Sequence, residues 1–186
     1  MSYTLSNMIP LGTKAPDFTL KNTVDGNDKS LSELKGNNAT VIIFICNHCP
    51  YVIHLIRDIV DAANEYKNEG VNFIAINSND VENYPDDSPD KMNLIARVLQ
   101  FPFPYLYDED QEVAKAYDAA CTPDFYIFDG EMKLAYRGQY DESRPKRNEV
   151  PITGKDFKNA LNAVLEGGKV SERQVPSGGC NIKWKN

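Results

Sequence analysis

The sequence lacks most features that mark secreted, membrane-bound or nucleic-acid-binding proteins. Lysine and arginine number 20 against 27 acidic residues, and the net charge of −7 argues against nucleic acid or an anionic membrane as a partner. The longest apolar run, residues 41–45, is much too short to cross a bilayer. Residues 1–20 show no basic start, apolar stretch or small-residue cleavage site. We therefore predict a cytoplasmic protein without a secretion signal.

Cysteine is also scarce, since the 186 residues contain only four. Four are too few for a disulfide-stapled scaffold, and a chain of this length buries a substantial core without one. We predict a single domain over residues 1–186, with 169–186 as an extended C-terminal tail on the surface. Two cysteines, Cys46 and Cys49, form a close pair. In a reducing compartment such a pair is more often catalytic or metal-binding than structural.

The hydrophobic pattern of the first half predicts a β–α–β unit. Residues 41–45 form a continuous β-branched and aromatic run, typical of a strand buried on both faces. After the cysteine pair, apolar residues recur at helical spacing up to Tyr66, and residues 71–76 form a second buried strand. A crossover of this kind is right-handed and joins parallel strands.

The middle of the chain is predicted to hold two helices separated by a short strand over residues 105–107. The first helix begins at Ser88-Pro89-Asp90, and Asp110 caps the second. The preceding loop, residues 77–89, is rich in turn formers. We interpret its acidic pair Asp86-Asp87 as solvent-facing.

The last part predicts a hairpin followed by a helix. Strands over 125–128 and 133–137 flank Asp129-Gly130, so they should be antiparallel. Thr153 and Asp156 have the spacing of a capping box at the start of the final helix.

The order β–α–β, inserted helices, then β–β–α resembles a thioredoxin-like fold. The chain resembles the redoxin branch of the thioredoxin superfamily, the peroxiredoxin-like group related to alkyl hydroperoxide reductase and thiol-specific antioxidant. The motifs that carry the resemblance are Ala15-Pro16-Asp17-Phe18, Cys46-Asn-His-Cys-Pro-Tyr51, Cys121-Thr-Pro-Asp-Phe125, Tyr136-Arg137-Gly138 and Gly179-Cys-Asn-Ile-Lys-Trp-Lys185. It implies an α/β fold with a central mixed sheet flanked by helices, an N-terminal extension and a helical insertion in the middle.

A Cys-x-x-Cys motif between a buried strand and a helix start indicates thiol–disulfide exchange. The helix N-terminus offers unpaired N–H groups and a positive dipole end, which favour thiolate over thiol. We predict Cys46, nearer the surface, as the attacking thiolate and Cys49 as the resolving thiol. Pro50 lies in the first helical turn, where its missing N–H costs little.

Three further residues are predicted to support the pair. Protonated His48, between the sulfurs, would stabilise a thiolate; the alternative is an exposed helix-terminal histidine without a strong role. The resemblance implies that Thr122-Pro123 is a cis peptide facing the dithiol. It also implies that Thr122 backbone atoms line the substrate groove.

Other candidates remain open between two interpretations. Cys121 is either a buried inert thiol or an accessory redox thiol, and Cys180 in the tail is either a relay thiol or an exposed surface cysteine. Arg137 either points its guanidinium at a thiolate, as an arginine does in peroxiredoxins, or is an exposed strand residue.

The leading hypothesis is a thiol–disulfide oxidoreductase, and the alternative is a thiol peroxidase. Peroxiredoxins carry Pro-x-x-x-Thr-x-x-Cys. Anchoring this template on Cys49 places Ile42 and Cys46 at the Pro and Thr positions, and anchoring on Cys46 places Ala39 and Ile43 there. A less favoured alternative is metal binding or delivery through the cysteine pair, but both histidines lie beside the pair and none lies downstream.

No Gly-x-Gly-x-x-Gly fingerprint follows the first strand, so we predict no nucleotide or flavin cofactor. Reducing equivalents would then come from a thioredoxin-type protein or glutathione. The expected substrates are protein or small-molecule disulfides, with peroxides as the alternative.

Overall fold

The computed structural model describes residues 2–146 and 149–185, so both ends of the predicted domain, Met1 and Asn186, lie outside the described residues. The elements are β1 (Tyr3–Leu5), β2 (Thr19–Asn22), β3 (Asp28–Ser30), α1 (Leu31–Leu34), β4 (Ala39–Phe44), α2 (Pro50–Tyr66), β5 (Val71–Asn77), α3 (Pro89–Val98), β6 (Tyr105–Tyr107), α4 (Glu112–Ala116), β7 (Cys121–Thr122), β8 (Asp124–Asp129), β9 (Leu134–Tyr136), α5 (Lys155–Leu165) and β10 (Gly178–Asn181). Within these described ranges, no helix is long and apolar enough to span a membrane.

A seven-stranded mixed sheet carries the fold, in the order β3-β2-β6-β5-β4-β8-β9. Its central strand β4 runs parallel to β5 and antiparallel to β8. The predicted β–α–β unit and the antiparallel hairpin of β8 and β9 are both confirmed. The mixed α/β class with helices flanking a central sheet is confirmed as well. The N-terminal extension contributes β2 and β3 to one edge of this sheet.

Each face of the sheet packs against its own hydrophobic core, because successive strand residues point to opposite faces. Val41 and Ile43 of β4 pack with the buried stripe of α2 and with Phe157 of α5. Ile42 and Phe44 pack on the other face with aromatic residues that include Tyr117. Full burial of a large apolar side chain stabilises the fold by about 1.5–3 kcal/mol, so these two layers hold β4 rigidly.

Two predicted helix caps are wrong. The residue before α4 is Gln111 with φ of 64°, and the residue before α5 is Gly154 with φ of 63°; neither provides a side-chain cap. Asp110 and Thr153 each accept a hydrogen bond from the backbone N–H two residues further on, at 3.1 and 3.3 Å. These hydrogen bonds stabilise the turns that lead into the two helices. Aspartate and threonine side chains commonly bond the backbone two residues on in such turns.

The C-terminal tail does not simply cover the surface. Its strand β10 lies between β1 and β7 in a three-stranded antiparallel sheet. Cys180 and Ile182 are buried, with 4% and 1% of their surface exposed. The prediction of a surface tail is therefore wrong for this part, because strand pairing satisfies the backbone hydrogen bonds there and allows burial.

Candidate active site

The cysteine pair lies between the central strand and the longest helix. β4 ends at Phe44, and α2 begins at Pro50 with Cys49 as its N-cap residue, which places the proline in the first helical turn as predicted. Cys46 and Cys49 are 1% and 0% exposed. Neighbouring chain segments therefore enclose both sulfurs, and Cys46 is not exposed at the surface.

Thr122 and Pro123, between β7 and β8, form one wall around the two sulfurs. The Thr122–Pro123 peptide is cis, as the resemblance implied. Thr122 contacts both thiols: its Oγ1 lies 3.5 Å from Cys46 Sγ, and its carbonyl oxygen lies 3.1 Å from Cys49 Sγ. Thr122 does not line an open groove, because it is 3% exposed and pairs in register with Cys180 of β10.

A third sulfur completes the cluster. Cys180 Sγ lies 2.8 Å from Cys49 Sγ, and both atoms are buried. The prediction of an exposed surface cysteine is wrong, since β10 carries Cys180 into the core. Cys49 is therefore the central thiol, in hydrogen-bonding contact with Cys46 on one side and Cys180 on the other.

The electrostatic environment shifts the pKa values of the two thiols in opposite directions. The hydrogen bond from Cys46, with further contributions from Cys180, Thr122 and the Val52 N–H, lowers the pKa of Cys49 to about 5 against the opposing effect of burial. The pKa of Cys46 is raised by that same hydrogen bond, by burial and by the charge of Asp87. Of the two thiols, Cys49 at the helix N-terminus is therefore the more acidic, whereas the sequence pattern favoured a lowered pKa at Cys46.

His48 is held by a buried carboxylate and is not the exposed histidine of the alternative interpretation. Its Nδ1 lies 2.7 Å from Asp87 Oδ2, and its side chain is 16% exposed. The imidazole also stacks on Tyr84, with ring centroids 5.7 Å apart and an interplanar angle of 7°.

Asp87 belongs to this site, and the interpretation of Asp86-Asp87 as solvent-facing is wrong for Asp87. It is 0% exposed, and it accepts hydrogen bonds from the Asn47 N–H at 2.7 Å and from Asn79 Nδ2 at 2.8 Å. The Lys183 N–H of the tail donates to Asn79 Oδ1 at 2.8 Å, so the tail, the loop after β5 and the histidine form one hydrogen-bonded network. No local pattern distinguishes Asp87 from its exposed neighbour Asp86.

Cys46, His48 and Asp87 each offer one potential metal-ligand atom, and these atoms lie within 4.8 Å of one another. The set differs from the predicted metal alternative, which used both cysteines of the pair and a histidine. It provides three ligands, whereas a closed structural zinc site has four. The same three groups also have the composition of a nucleophile, a base and a carboxylate that orients the base.

Two further candidates do not take part in the thiol cluster in the predicted way. Arg137 Nε donates to the Ile9 carbonyl at 2.6 Å, and its Nη1 donates to Gln174 Oε1 at 2.8 Å. The guanidinium therefore binds the chain near Ile9 and the tail at Gln174, and not a thiolate. It is half-buried, which also corrects the exposed alternative. Cys121 is buried, with its Sγ 3.6 Å from the Pro123 carbonyl oxygen, and burial raises its pKa.

A buried carboxyl directly after the cis-proline predicts a pH dependence of stability. Burial raises the pKa of Asp124 to about 6, despite hydrogen bonds from Ser6 and from the Ala120 N–H. Its unfolded value is about 3.9, so the folded state binds more protons between about pH 4 and pH 6. The free energy of unfolding should therefore fall by roughly 3 kcal/mol as pH rises through this window.

Urea unfolding at several pH values tests this expectation. Asp124→Asn should remove that fall, because the amide does not titrate. An unchanged pH profile in Asp124→Asn would show that other groups control the stability in this range.

The described residues thus define a thioredoxin-like α/β fold that carries a buried dithiol at the end of its central strand. The family model of the AhpC/TSA family matches residues 11–137, more than half of the chain. The chain belongs to the AhpC/TSA family.

Two solved structures share this fold. The solved structure of an uncharacterised conserved protein from Geobacillus kaustophilus has a TM-score of 0.96 and 59% identity, covering 100% of this chain and 97% of its own. The thioredoxin domain of a thiol-disulfide oxidoreductase from Bacteroides vulgatus shares the fold, with a TM-score of 0.63 and 17% identity over 84% of this chain and 99% of its own.

A curated relative from Mycobacterium tuberculosis, named "Putative peroxiredoxin Rv2521", is 30% identical over 108 residues. The match covers 58% of this chain and spans 63% of the length of that relative.

Proposed function

We propose that the protein is a thiol–disulfide oxidoreductase whose redox centre is Cys46 and Cys49. The observation that carries this proposal is the position of the pair, between the end of β4 and the start of α2, against the cis Thr122–Pro123 peptide. The lowered pKa of Cys49 adds to it, because thiol–disulfide exchange proceeds through a thiolate.

The reaction follows from the positions of the side chains. Cys46 attacks an external disulfide, its thiol proton passes to His48, and one half of the substrate leaves as a thiolate. Cys49, already the more acidic thiol, then attacks Cys46 Sγ in the mixed disulfide. This second step forms the Cys46–Cys49 disulfide, and the other half of the substrate leaves reduced. Asp87 positions His48 for the proton transfer through the contact at Nδ1.

The partners of this reaction are disulfides of proteins or small molecules. A thioredoxin-type protein or glutathione would return the two electrons to the oxidised pair. We place this activity in the cytoplasm, where such reductants keep thiols reduced. Because both sulfurs are buried, substrate contact requires a local displacement of the segments that enclose them.

Oxidation with one equivalent of hydrogen peroxide, followed by peptide mass spectrometry, tests the redox centre. We expect a Cys46–Cys49 disulfide with a two-electron potential between about −270 and −120 mV in glutathione buffers. Cys46→Ser should abolish disulfide reduction, whereas Cys121→Ser, which replaces a buried thiol outside the cluster, should retain it. Full turnover of Cys46→Ser would contradict the proposed roles.

A second candidate is a thiol peroxidase, supported by the AhpC/TSA family and by the name of the mycobacterial relative. In that reaction a cysteine thiolate attacks the peroxide, an alcohol or water leaves, and the resulting sulfenic acid condenses with a second thiol. The absence of the Pro-x-x-x-Thr-x-x-Cys template opposes it. A sulfenic acid trapped on one cysteine, together with rapid peroxide turnover, would favour this second candidate.

A further inference from the structure

Strand β10 holds Cys180 at a fixed place over the dithiol. In the three-stranded sheet Cys180 is directly opposite Thr122 on one side and Tyr3 on the other. A Cβ atom at Gly179 would lie 2.0 Å from the Thr122 carbonyl oxygen, so only glycine permits this close approach of β10 to the residue before the cis-proline. Gly179 thus allows the tail to lie close to the redox centre.

The sulfur atoms of Cys180 and Cys49 are also in direct contact. Cys180 Sγ lies 2.8 Å from Cys49 Sγ, within the distance at which one sulfur attacks the other once one of them is oxidised. Both side chains belong to the same buried core cluster, from which bulk water is excluded.

We propose that Cys180 is a third redox thiol that exchanges with the Cys46–Cys49 disulfide inside the same chain. Cys180 Sγ attacks Cys49 Sγ, the Cys46–Cys49 bond breaks, and a Cys49–Cys180 bond forms. The thiol proton of Cys180 moves to the departing Cys46 sulfur, so the step conserves atoms and electrons and needs no further oxidant. It rests on the proposed function, because it begins from the Cys46–Cys49 disulfide.

The exchange has two consequences for the centre. It returns Cys46 to the thiol state beside His48, so the oxidised chain again has a nucleophile available. It also links β10 covalently to the start of α2 until a reductant opens the Cys49–Cys180 bond.

Cys121 is the cysteine nearest to Cys180 in the sequence, but its side chain does not lie over the dithiol as that of Cys180 does. It precedes Thr122 on β7, and neighbouring strand residues point to opposite faces. Its partner in register is Asn181 and not Cys180. Cys121 is therefore a matched control: a buried thiol on the strand adjoining β10, outside the exchange.

Disulfide mapping after trypsin cleavage tests the inference, because the relevant cysteines fall in different peptides. Cys46 and Cys49 lie together in residues 36–57, Cys180 in 174–183 and Cys121 in 116–133. In Cys46→Ser, oxidised with diamide, we expect peptides 36–57 and 174–183 to be joined in most molecules. Cys46→Ser/Cys121→Ser should give the same link, and Cys46→Ser/Cys180→Ser should not.

In the oxidised wild type, acid-quenched samples should show the link between 36–57 and 174–183 increasing as the Cys46–Cys49 disulfide decreases. A dominant link to 116–133, a disulfide between two chains, or no link in a variant with native circular dichroism would overturn the inference. Cys180→Ser separates this inference from the proposed function: a Cys46–Cys49 disulfide in that variant supports the redox centre whether or not Cys180 exchanges.

Discussion

Replacing Cys49 with serine is expected to stop disulfide reduction and to trap substrate on the protein. Cys49 is the sulfur that lies in contact with both Cys46 and Cys180, so its loss removes the resolving thiol and the centre of the cluster together. Cys46 can still attack a disulfide with the help of His48, but the mixed disulfide is then not resolved by Cys49. We expect turnover to fall by on the order of a hundredfold or more.

The measurement is a turnover assay with a model disulfide, followed by mass spectrometry of residues 36–57. A mass increase equal to half of the substrate, located on Cys46 and removed by a reductant, is the expected species. Cys121→Ser is the matched comparison, because it replaces a buried thiol outside the cluster and leaves Cys46, Cys49 and Cys180 intact; it should keep turnover and accumulate no mixed disulfide. A Cys49→Ser protein that turns over at the wild-type rate through a Cys46–Cys180 disulfide would assign the resolving role to Cys180.

The sequence is sufficient to predict the elements whose patterns are local. The run of β-branched residues at 41–45, the helical spacing after Cys49 and the turn at Asp129-Gly130 correspond to β4, α2 and the β8–β9 hairpin. These elements position the cysteine pair, because a strand that is buried on both faces and the helix that follows it fix the chain between them. The cis geometry before Pro123 came from the resemblance, and the structure has it.

What the sequence does not reveal depends on contacts between distant residues. Strand β10 is Gly-Gly-Cys-Asn, a segment of low β-propensity, and it becomes a strand because β1 and β7 provide pairing partners on both sides. The predicted caps of α4 and α5 are wrong because the residues that precede these helices, Gln111 and Gly154, lie in the left-handed region and offer no side-chain cap.

Asp87 shows most clearly why the site includes residues outside the Cys-x-x-Cys motif. It lies 40 residues from Asn47, whose N–H it accepts, and it follows a loop whose composition is that of a solvated turn. Its burial arises from the 3₁₀ turn Pro85–Asp87, which directs one of two consecutive aspartates inward and leaves the other outward. A short local window treats the two as equivalent, so only the tertiary structure distinguishes them.

Asp87→Asn is expected to lower the free energy of unfolding by about 1–3 kcal/mol, the penalty for leaving a buried hydrogen-bonding group without its partner. An amide NH₂ in place of Oδ2 would face the donor Asn79 Nδ2 and lie against His48 Nδ1, so the buried Asn79 amide would lose its acceptor. Asp86→Asn is the matched control. Its exposed carboxylate pairs with Lys91, and solvent screens that ion pair, so its loss should leave the free energy of unfolding nearly unchanged.

A second readout separates the effect on the thiol from the effect on folding. The charge of Asp87 raises the pKa of Cys46, so the alkylation rate of Cys46, followed in residues 36–57 under folded conditions, should rise at lower pH in Asp87→Asn than in the parent. Performing both measurements in the Cys49→Ser background removes the competing thiol of the same peptide. Equal losses of stability in Asp87→Asn and Asp86→Asn, with unchanged alkylation profiles, would show that the buried carboxylate does not act on the redox centre. The expected difference between two adjacent aspartates, one buried against His48 and one in solvent, is therefore a direct test of how the loop after β5 controls the chemistry of Cys46.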